Sequence, residues 1–143
     1  MTYFFKKWIP DSRISDLMTV EKLVHDSSGL RIYLSSEQYD EFLCIEFPHN
    51  YTYRNTDESY RLRLWSHGQF EVRQWTYFIT RESELIDWVV AESESAYDKD
   101  NMIHYLIKTG SDVIDIVTNS AAPKTKWVQR EDCQQIGEYG VRE

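Results

Sequence analysis

The sequence predicts a single α+β domain over residues 1–143: a mostly antiparallel sheet of about five to seven strands with two packed helices. Three observations predict this class. The chain has 143 residues, the usual size of one domain. Several short runs alternate apolar and polar residues, which is typical of strands with one buried face. One longer stretch places apolar residues three and four apart, as an amphipathic helix does.

The first third of the chain is predicted to hold one helix between strands. Residues 2–9 fit either a short strand or an apolar arm. Apolar residues recur at steps of three and four in residues 15–25, which predicts a helix that Gly29 ends in a left-handed turn. Residues 30–34 alternate and residues 42–47 are rich in apolar side chains, so both runs predict strands.

The middle of the chain is predicted to form a strand, a turn and a hairpin. Residues 51–53 fit a strand and residues 55–58 a turn. Alternation in residues 60–65 predicts a strand that returns, after a turn at Gly68, as residues 70–79. A loop of odd length keeps the apolar faces of the two strands together, since a slip of one residue would swap them.

The second face of this predicted hairpin carries charged and indole side chains. Arg and Trp are enriched where proteins bind each other, so the face is a candidate docking surface. Alternatively, the arginines stack on the indoles, or a helix covers the face. Replacing Arg61 and Trp75 with alanine is expected to weaken partner binding without unfolding the domain. The candidate partner-binding residues are Arg61, Arg63, Trp65, Glu71, Arg73 and Trp75.

The last third of the chain is predicted to hold a helix, a hairpin and a tail. Ser83 is expected to cap the amphipathic helix. Residues 102–109 and 113–118 predict a buried hairpin, although the second run also fits a short helix. Residues 126–128 fit a short strand, and residues 129–143 a loosely held tail.

Composition narrows the classes of function. The chain has 24 acidic and 16 basic residues, a net charge of −8, which disfavours nucleic-acid binding and favours a basic partner. No apolar run approaches the ~20 residues of a membrane-spanning helix, and the N-terminus lacks the pattern of a signal peptide. Cys44 and Cys133 lie far apart in the sequence and form no metal-binding or redox motif, which favours reduced thiols in a reducing compartment. We therefore expect a cytoplasmic protein without membrane association.

Motifs for chemistry are missing from the sequence. The four histidines show no metal-binding spacing, and no nucleophile, phosphate-loop or dinucleotide motif occurs. The sequence therefore predicts no catalytic residue, metal or cofactor. Asp115, on a strand face with Val113 and Val117, needs a hydrogen-bond donor or an arginine. A structural ion pair is favoured there over a functional acid, and His104 is expected to be an ordinary hydrogen-bonded histidine.

Three stretches occur in a characteristic order: YRNTDESYRLRLW, ESELIDWVVAESE and HYLIKTGSDVIDIVTNSAAPKTKWV. This order resembles that of a group of small bacterial proteins similar to the acidic immunity proteins of polymorphic toxin systems. The resemblance spans roughly residues 30–128. It implies a non-catalytic inhibitor that neutralises a bacterial toxin domain by occlusion, and it carries over no active-site residues.

The sequence leaves two other functions open. Aromatic and arginine side chains would also suit a nucleotide- or single-stranded nucleic-acid-binding domain. A small hydrolase built around Asp115 and His104 would require those groups to converge in one open cleft. The charges also conflict: an arginine-rich contact suits an acidic partner, while the net charge suits a basic one.

Overall fold

A computed structural model describes residues 3–133 of the chain. Residues 130–133 are helical, and before them lie ten strands, two α-helices and two 3-10 helices. In chain order they are β1 (Phe4–Lys7), β2 (Thr19–Asp26), β3 (Gly29–Ser35), β4 (Phe42–Phe47), β5 (Thr52–Asp57), a 3-10 helix (Glu58–Tyr60), α1 (Leu62–His67), β6 (Gln69–Phe70), β7 (Tyr77–Thr80), α2 (Glu84–Glu92), a 3-10 helix (Lys99–Asn101), β8 (Ile103–Lys108), β9 (Asp112–Thr118) and β10 (Lys124–Val128).

The predicted α+β class with mostly antiparallel sheet is confirmed. The larger sheet has the order β5-β9-β8-β7-β1-β6, and only the short pairing of β1 with β6 is parallel. The smaller sheet, β10-β4-β3-β2, is antiparallel throughout. The ten described strands outnumber the predicted five to seven; among them, β2 lies where a helix was predicted and β6 has only two residues.

The main core lies between the two sheets. Buried side chains of β3 and β4, such as Ile32 and Phe47, join one apolar cluster with Tyr105 and Ile114 of the larger sheet. The rings of Phe47 and Tyr105 are 5.3 Å apart. Because β8 and β9 are buried on both sides, they read as nearly continuous apolar runs in the sequence.

Helix α2 covers the other face of the larger sheet. Its buried residues Leu85, Ile86 and Val89 pack with Met102 and with Val117 of β9. Successive side chains of a strand alternate between faces, so Asp115 lies on the same face as Val117. Asp115 and His104, which pairs with Val117 across the two strands, are therefore buried on the face away from the smaller sheet.

Most of the predicted elements are confirmed. β1, β3, β4, the β8–β9 hairpin and β10 lie where strands were predicted, and α2 begins after Ser83 as expected. The turn predicted for residues 55–58 begins later than expected, because β5 continues through Asp57 before the chain turns. The predicted loose tail lies outside the described residues from residue 134 onward.

The helix predicted for residues 15–25 is wrong, because this segment contains strand β2. β2 pairs with β3, and its register shifts between Val20 and Lys22. Such a bulge adds one residue to the strand, so Val20 and Leu23, three residues apart, both face the main core. The bulge thus produces the spacing that predicted a helix.

The hairpin predicted for residues 60–79 is also wrong. A 3-10 helix and α1 replace its first strand, and only β6 and β7 remain of the second. The Trp65 indole Nε1 donates to the Glu58 carbonyl oxygen at 3.0 Å, which closes the chain into this compact turn. Arg61 Nη1 also donates to Asp115 at 2.6 Å, so hydrogen bonds of its side chains hold this segment in a form that its alternating pattern does not predict.

Candidate functional site

Asp115 is a fully buried carboxylate, 0% exposed, in the middle of β9. Strand pairing surrounds it with polar groups. Arg54 lies directly opposite it on β5, and His104 lies diagonally across from it on β8. Two neighbouring strands thus bring a cation and an imidazole to one carboxylate.

The Asp115 carboxylate has three hydrogen-bond donors. Arg54 Nε donates to Oδ2 at 3.0 Å and Arg61 donates to the same oxygen at 2.6 Å. His104 Nε2 lies 2.7 Å from Oδ1. Burial raises the pKa of Asp115, but the hydrogen bond with His104 and the charges of Arg61 and Arg54 outweigh it. The pKa of this carboxyl therefore lies well below its usual range, and Asp115 is ionised.

Ser83 extends this network to helix α2. Its Oγ lies 2.7 Å from His104 Nδ1 and accepts a hydrogen bond from the Ile86 backbone N–H at 3.1 Å. Ser83 is thus both the N-cap of α2 and the partner of the histidine. A continuous chain of hydrogen bonds runs from the helix through His104 to Asp115.

A cleft of about 130 Å³ opens over this network. We call it the Asp115 cleft, because Ser83, His104, Arg54 and Arg61 line it above the buried carboxylate. Its two sides are α1 and α2, joined by an ion pair between Arg63 and Glu84 at 2.7 Å. Asp115 and His104 therefore meet beneath this cleft, where His104 lines it and Asp115 itself is fully buried.

The two helices beside this cleft carry exposed apolar and charged side chains. In α1, Leu62 is 72% exposed, and in α2, Trp88 is 51% exposed. Trp88 lines a neighbouring depression together with Arg54 and Glu84. We call this set of exposed side chains the α1–α2 rim: Arg54, Leu62, Arg63, Glu84 and Trp88.

The six residues predicted to form one docking face do not share a face, which corrects that interpretation. Arg61 and Arg63 line the Asp115 cleft. Trp65, Arg73 and Trp75 line a separate cleft. The Glu71 side chain instead accepts a hydrogen bond from the backbone N–H of Lys7 at 2.8 Å. The alternation that predicted a common face requires a strand, and no strand occurs over residues 60–65.

Trp75 shows the physical consequence of this correction. Its side chain is buried, its Nε1 donates to the Trp8 carbonyl oxygen at 2.7 Å, and Lys7 Nζ lies 4.4 Å from its ring centre. Arg61 is bound to Asp115. Replacing Arg61 and Trp75 together is now expected to destabilise the domain, because truncating a buried tryptophan alone costs about 3–5 kcal/mol.

Sequence reasoning identified Asp115 and its need for a donor, and the ion pair favoured there is present. It did not identify Arg54 or connect Ser83 with His104. The capping position of Ser83 is a local signal in the sequence. The pairing of β5 with β9, which brings Arg54 to Asp115, depends on residues 61 positions apart and leaves no local signal.

No group of three or more His, Cys, Asp or Glu side chains among residues 3–133 is placed to hold a metal ion. No helix in the same part of the chain has the length and apolar character needed to cross a membrane.

Comparisons with known proteins assign no family to this chain. No family model, curated protein or solved structure matches this chain.

Proposed function

We propose that the protein is a non-catalytic binding module that inhibits a protein partner by occlusion. In this proposal it acts in the bacterial cytoplasm as an immunity protein for a toxin domain. The single observation that carries the proposal is the α1–α2 rim, where exposed Trp88 and Leu62 lie with arginines on the surface of an acidic chain. Trp and Arg are the residue types that most often dominate binding energy at interfaces.

The buried network beneath the rim supports a preformed surface. Asp115 holds Arg54 and Arg61, and His104 holds the N-terminus of α2 through Ser83. These contacts fix α1 and α2 on the same sheet before any partner arrives. A surface that is ordered in advance loses less conformational entropy on binding, so more of the contact energy appears as affinity.

Local and overall charge act at different distances, which removes the apparent conflict between them. The net charge of −8 favours encounter with a basic domain over long range. Screening at physiological salt reduces such effects beyond about 8 Å, so contacts depend on the rim itself. Arg54 and Arg63 there suit an acidic side chain of the partner, and Trp88 suits an apolar one.

The proposal is tested with the product of the gene immediately upstream, expressed with and without this protein. Wild type should protect the cells and co-purify with that product. The double variant Leu62→Ala/Trp88→Ala should bind at least about 10-fold more weakly, because both truncated side chains are proposed to become buried on binding. Ile9→Ala, which also removes an exposed apolar side chain, is the matched control.

Thermal unfolding of each variant checks that the fold is retained. Binding of the double variant at wild-type affinity would remove the rim from the proposal. Failure of the wild-type protein both to bind and to protect would remove the inhibitory function against that gene product.

A second candidate function is a serine hydrolase, favoured by the contacts of Ser83, His104 and Asp115. Asp115 is the acceptor for His104 Nε2–H, and neutral His104 can then accept the Ser83 hydroxyl proton at Nδ1. Ser83 Oγ would attack an ester carbonyl carbon while its proton passes to His104. The departing alcohol would take that proton as its bond breaks, and water would then hydrolyse the acyl-serine.

This candidate ranks second because Ser83 is buried and already caps α2. A fluorophosphonate probe tests it, with intact-protein and peptide mass spectrometry as the readout. An active serine would be labelled at Ser83 in the folded protein, and Ser66→Ala would leave the labelling unchanged. Lack of labelling at Ser83 would exclude this chemistry.

A further inference from the structure

A second cleft, on the other side of α1, has the size of a small-molecule site. Its volume is about 460 Å³, within the 300–1,000 Å³ or so that is usual for ligand pockets. Trp65, Trp75, Arg73 and Lys108 line it, together with Glu58. We call it the Lys108 cleft.

Lys108 is the unusual group in this cleft. Its Nζ lies 5.3 Å from the ring centre of Trp65, 4.9 Å from that of Phe70 and 5.4 Å from that of Phe78. It donates one hydrogen bond, to the Arg73 carbonyl oxygen at 3.1 Å. Among residues 3–133 it forms no ion pair with a carboxylate. Burial lowers the pKa of Lys108, so an incoming anion would relieve a desolvated charge.

The two tryptophans offer ring surface and no free donor. Trp65 Nε1 donates to the Glu58 carbonyl oxygen at 3.0 Å, and Trp75 Nε1 donates to the Trp8 carbonyl oxygen at 2.7 Å. The indole rings are therefore left to contact apolar or planar groups. Aromatic rings stack on such groups in offset or edge-to-face arrangements.

The charges of the lining residues select the charge of a ligand. Lys108 and Arg73 are cations, and Glu58 is the one carboxylate residue among those that line the cleft. The surplus of one positive charge suits a monoanion. A dianion such as a phosphate monoester would also meet Glu58, which disfavours it.

We propose that the Lys108 cleft binds a small planar aromatic carboxylate. The carboxylate accepts a hydrogen bond from Lys108 Nζ, which retains donors beyond the one used by the Arg73 carbonyl oxygen. The aromatic ring lies against the indoles of Trp65 and Trp75. This site is independent of the α1–α2 rim, so each proposal can fail without the other.

Isothermal titration of the full chain with indole-3-carboxylate tests the proposal, and indole-3-carboxamide is the uncharged comparison. The carboxylate should bind with a dissociation constant of about 1 mM or tighter. The carboxamide should bind about 10- to 100-fold more weakly, because its neutral oxygen can accept a hydrogen bond from Lys108 but forms no ion pair with the ammonium group. This comparison uses the wild-type protein, so it does not depend on a variant that folds.

Lys108→Met gives the second arm of the test. Methionine keeps an apolar stem against the aromatic rings and removes the desolvated charge, so the thermal midpoint should not fall while affinity for indole-3-carboxylate falls about 10- to 100-fold. Lys99→Met, at an exposed site in the second 3-10 helix, should bind as wild type does. Undetectable binding to wild type, equal binding of the carboxamide or undiminished binding by Lys108→Met would each overturn the proposal.

Discussion

At the scale of single residues, Asp115 is the buried carboxylate to which Arg54, Arg61 and His104 are hydrogen-bonded. The sequence already required a donor for it, since a carboxylate on an apolar strand face is costly to bury alone. The structure supplies Arg61, whose side chain is nearly buried, and Arg54, whose side chain is about half exposed. The two arginines and His104 make the ionised form the stable one in the folded protein.

Replacing Asp115 with asparagine should lower the free energy of unfolding by about 3 kcal/mol at neutral pH, because Arg61 is left without its buried counter-charge. The pKa of Asp115 in the folded state lies below its ordinary value of 3.8. Its stabilising effect is therefore complete above that pH and is lost as the pH falls below it. Urea unfolding from pH 7 to pH 2 measures the difference between the two proteins.

The difference in the free energy of unfolding between wild type and Asp115→Asn should stay constant down to about pH 5 and shrink below about pH 4. Asp100→Asn, at an exposed site, is the control and should give the wild-type curve. A wild-type-minus-variant difference that does not change with pH would mean that the Asp115 charge is not what stabilises the fold.

At the scale of elements, the β2–β3 hairpin shows how a correct local signal was assigned to the wrong structure. Gly29 was expected in a left-handed turn after a helix, and it does adopt a positive φ of 109°. The turn instead joins two strands. A side chain at this position would also meet the Phe47 carbonyl oxygen at 2.7 Å on the neighbouring strand β4.

Gly29→Ala should therefore destabilise the domain by about 1–3 kcal/mol, through backbone strain and the close contact with β4. Gly110→Ala is the matched control, since nothing lies within 4 Å of the added methyl group and its φ lies outside the positive region that disfavours side chains. The control should be neutral or stabilising by up to about 1 kcal/mol. Denaturant midpoints compare the two variants, and equal midpoints would contradict this account of the hairpin.

At the scale of the whole molecule, the smaller sheet covers a third apolar cluster on its outer side. Cys44 of β4 and Cys133 lie in this cluster with Tyr33 and Phe42. Both thiols are free and buried, as the wide spacing of the cysteines suggested. Burial raises the pKa of each thiol, so little reactive thiolate is present in the folded protein.

Both thiols should react with a disulfide reagent at pH 8 much more slowly in the folded chain than in urea. The rate should rise as the fraction of unfolded protein rises, because access requires the sheet to open. Cys133→Ala isolates the reaction of Cys44. Rapid reaction of Cys44 without denaturant would contradict the burial of this side of the sheet.

The sequence by itself determined the α+β class, the strands β3, β4 and β8, and the start of α2 at Ser83. These features follow from local patterns: long apolar runs, alternation and a capping serine. It also determined that Asp115 needs a partner. Such properties depend on residues close together in the chain.

Only the tertiary structure decided which residues meet. The bulge in β2 and the folding of residues 60–67 around Asp115 override local periodicity, because pairing partners and ion pairs come from distant segments. For the same reason the predicted arginine and tryptophan face separated into two clefts. Long-range contacts, which no local pattern records, thus determine both the candidate docking surface and the Lys108 cleft.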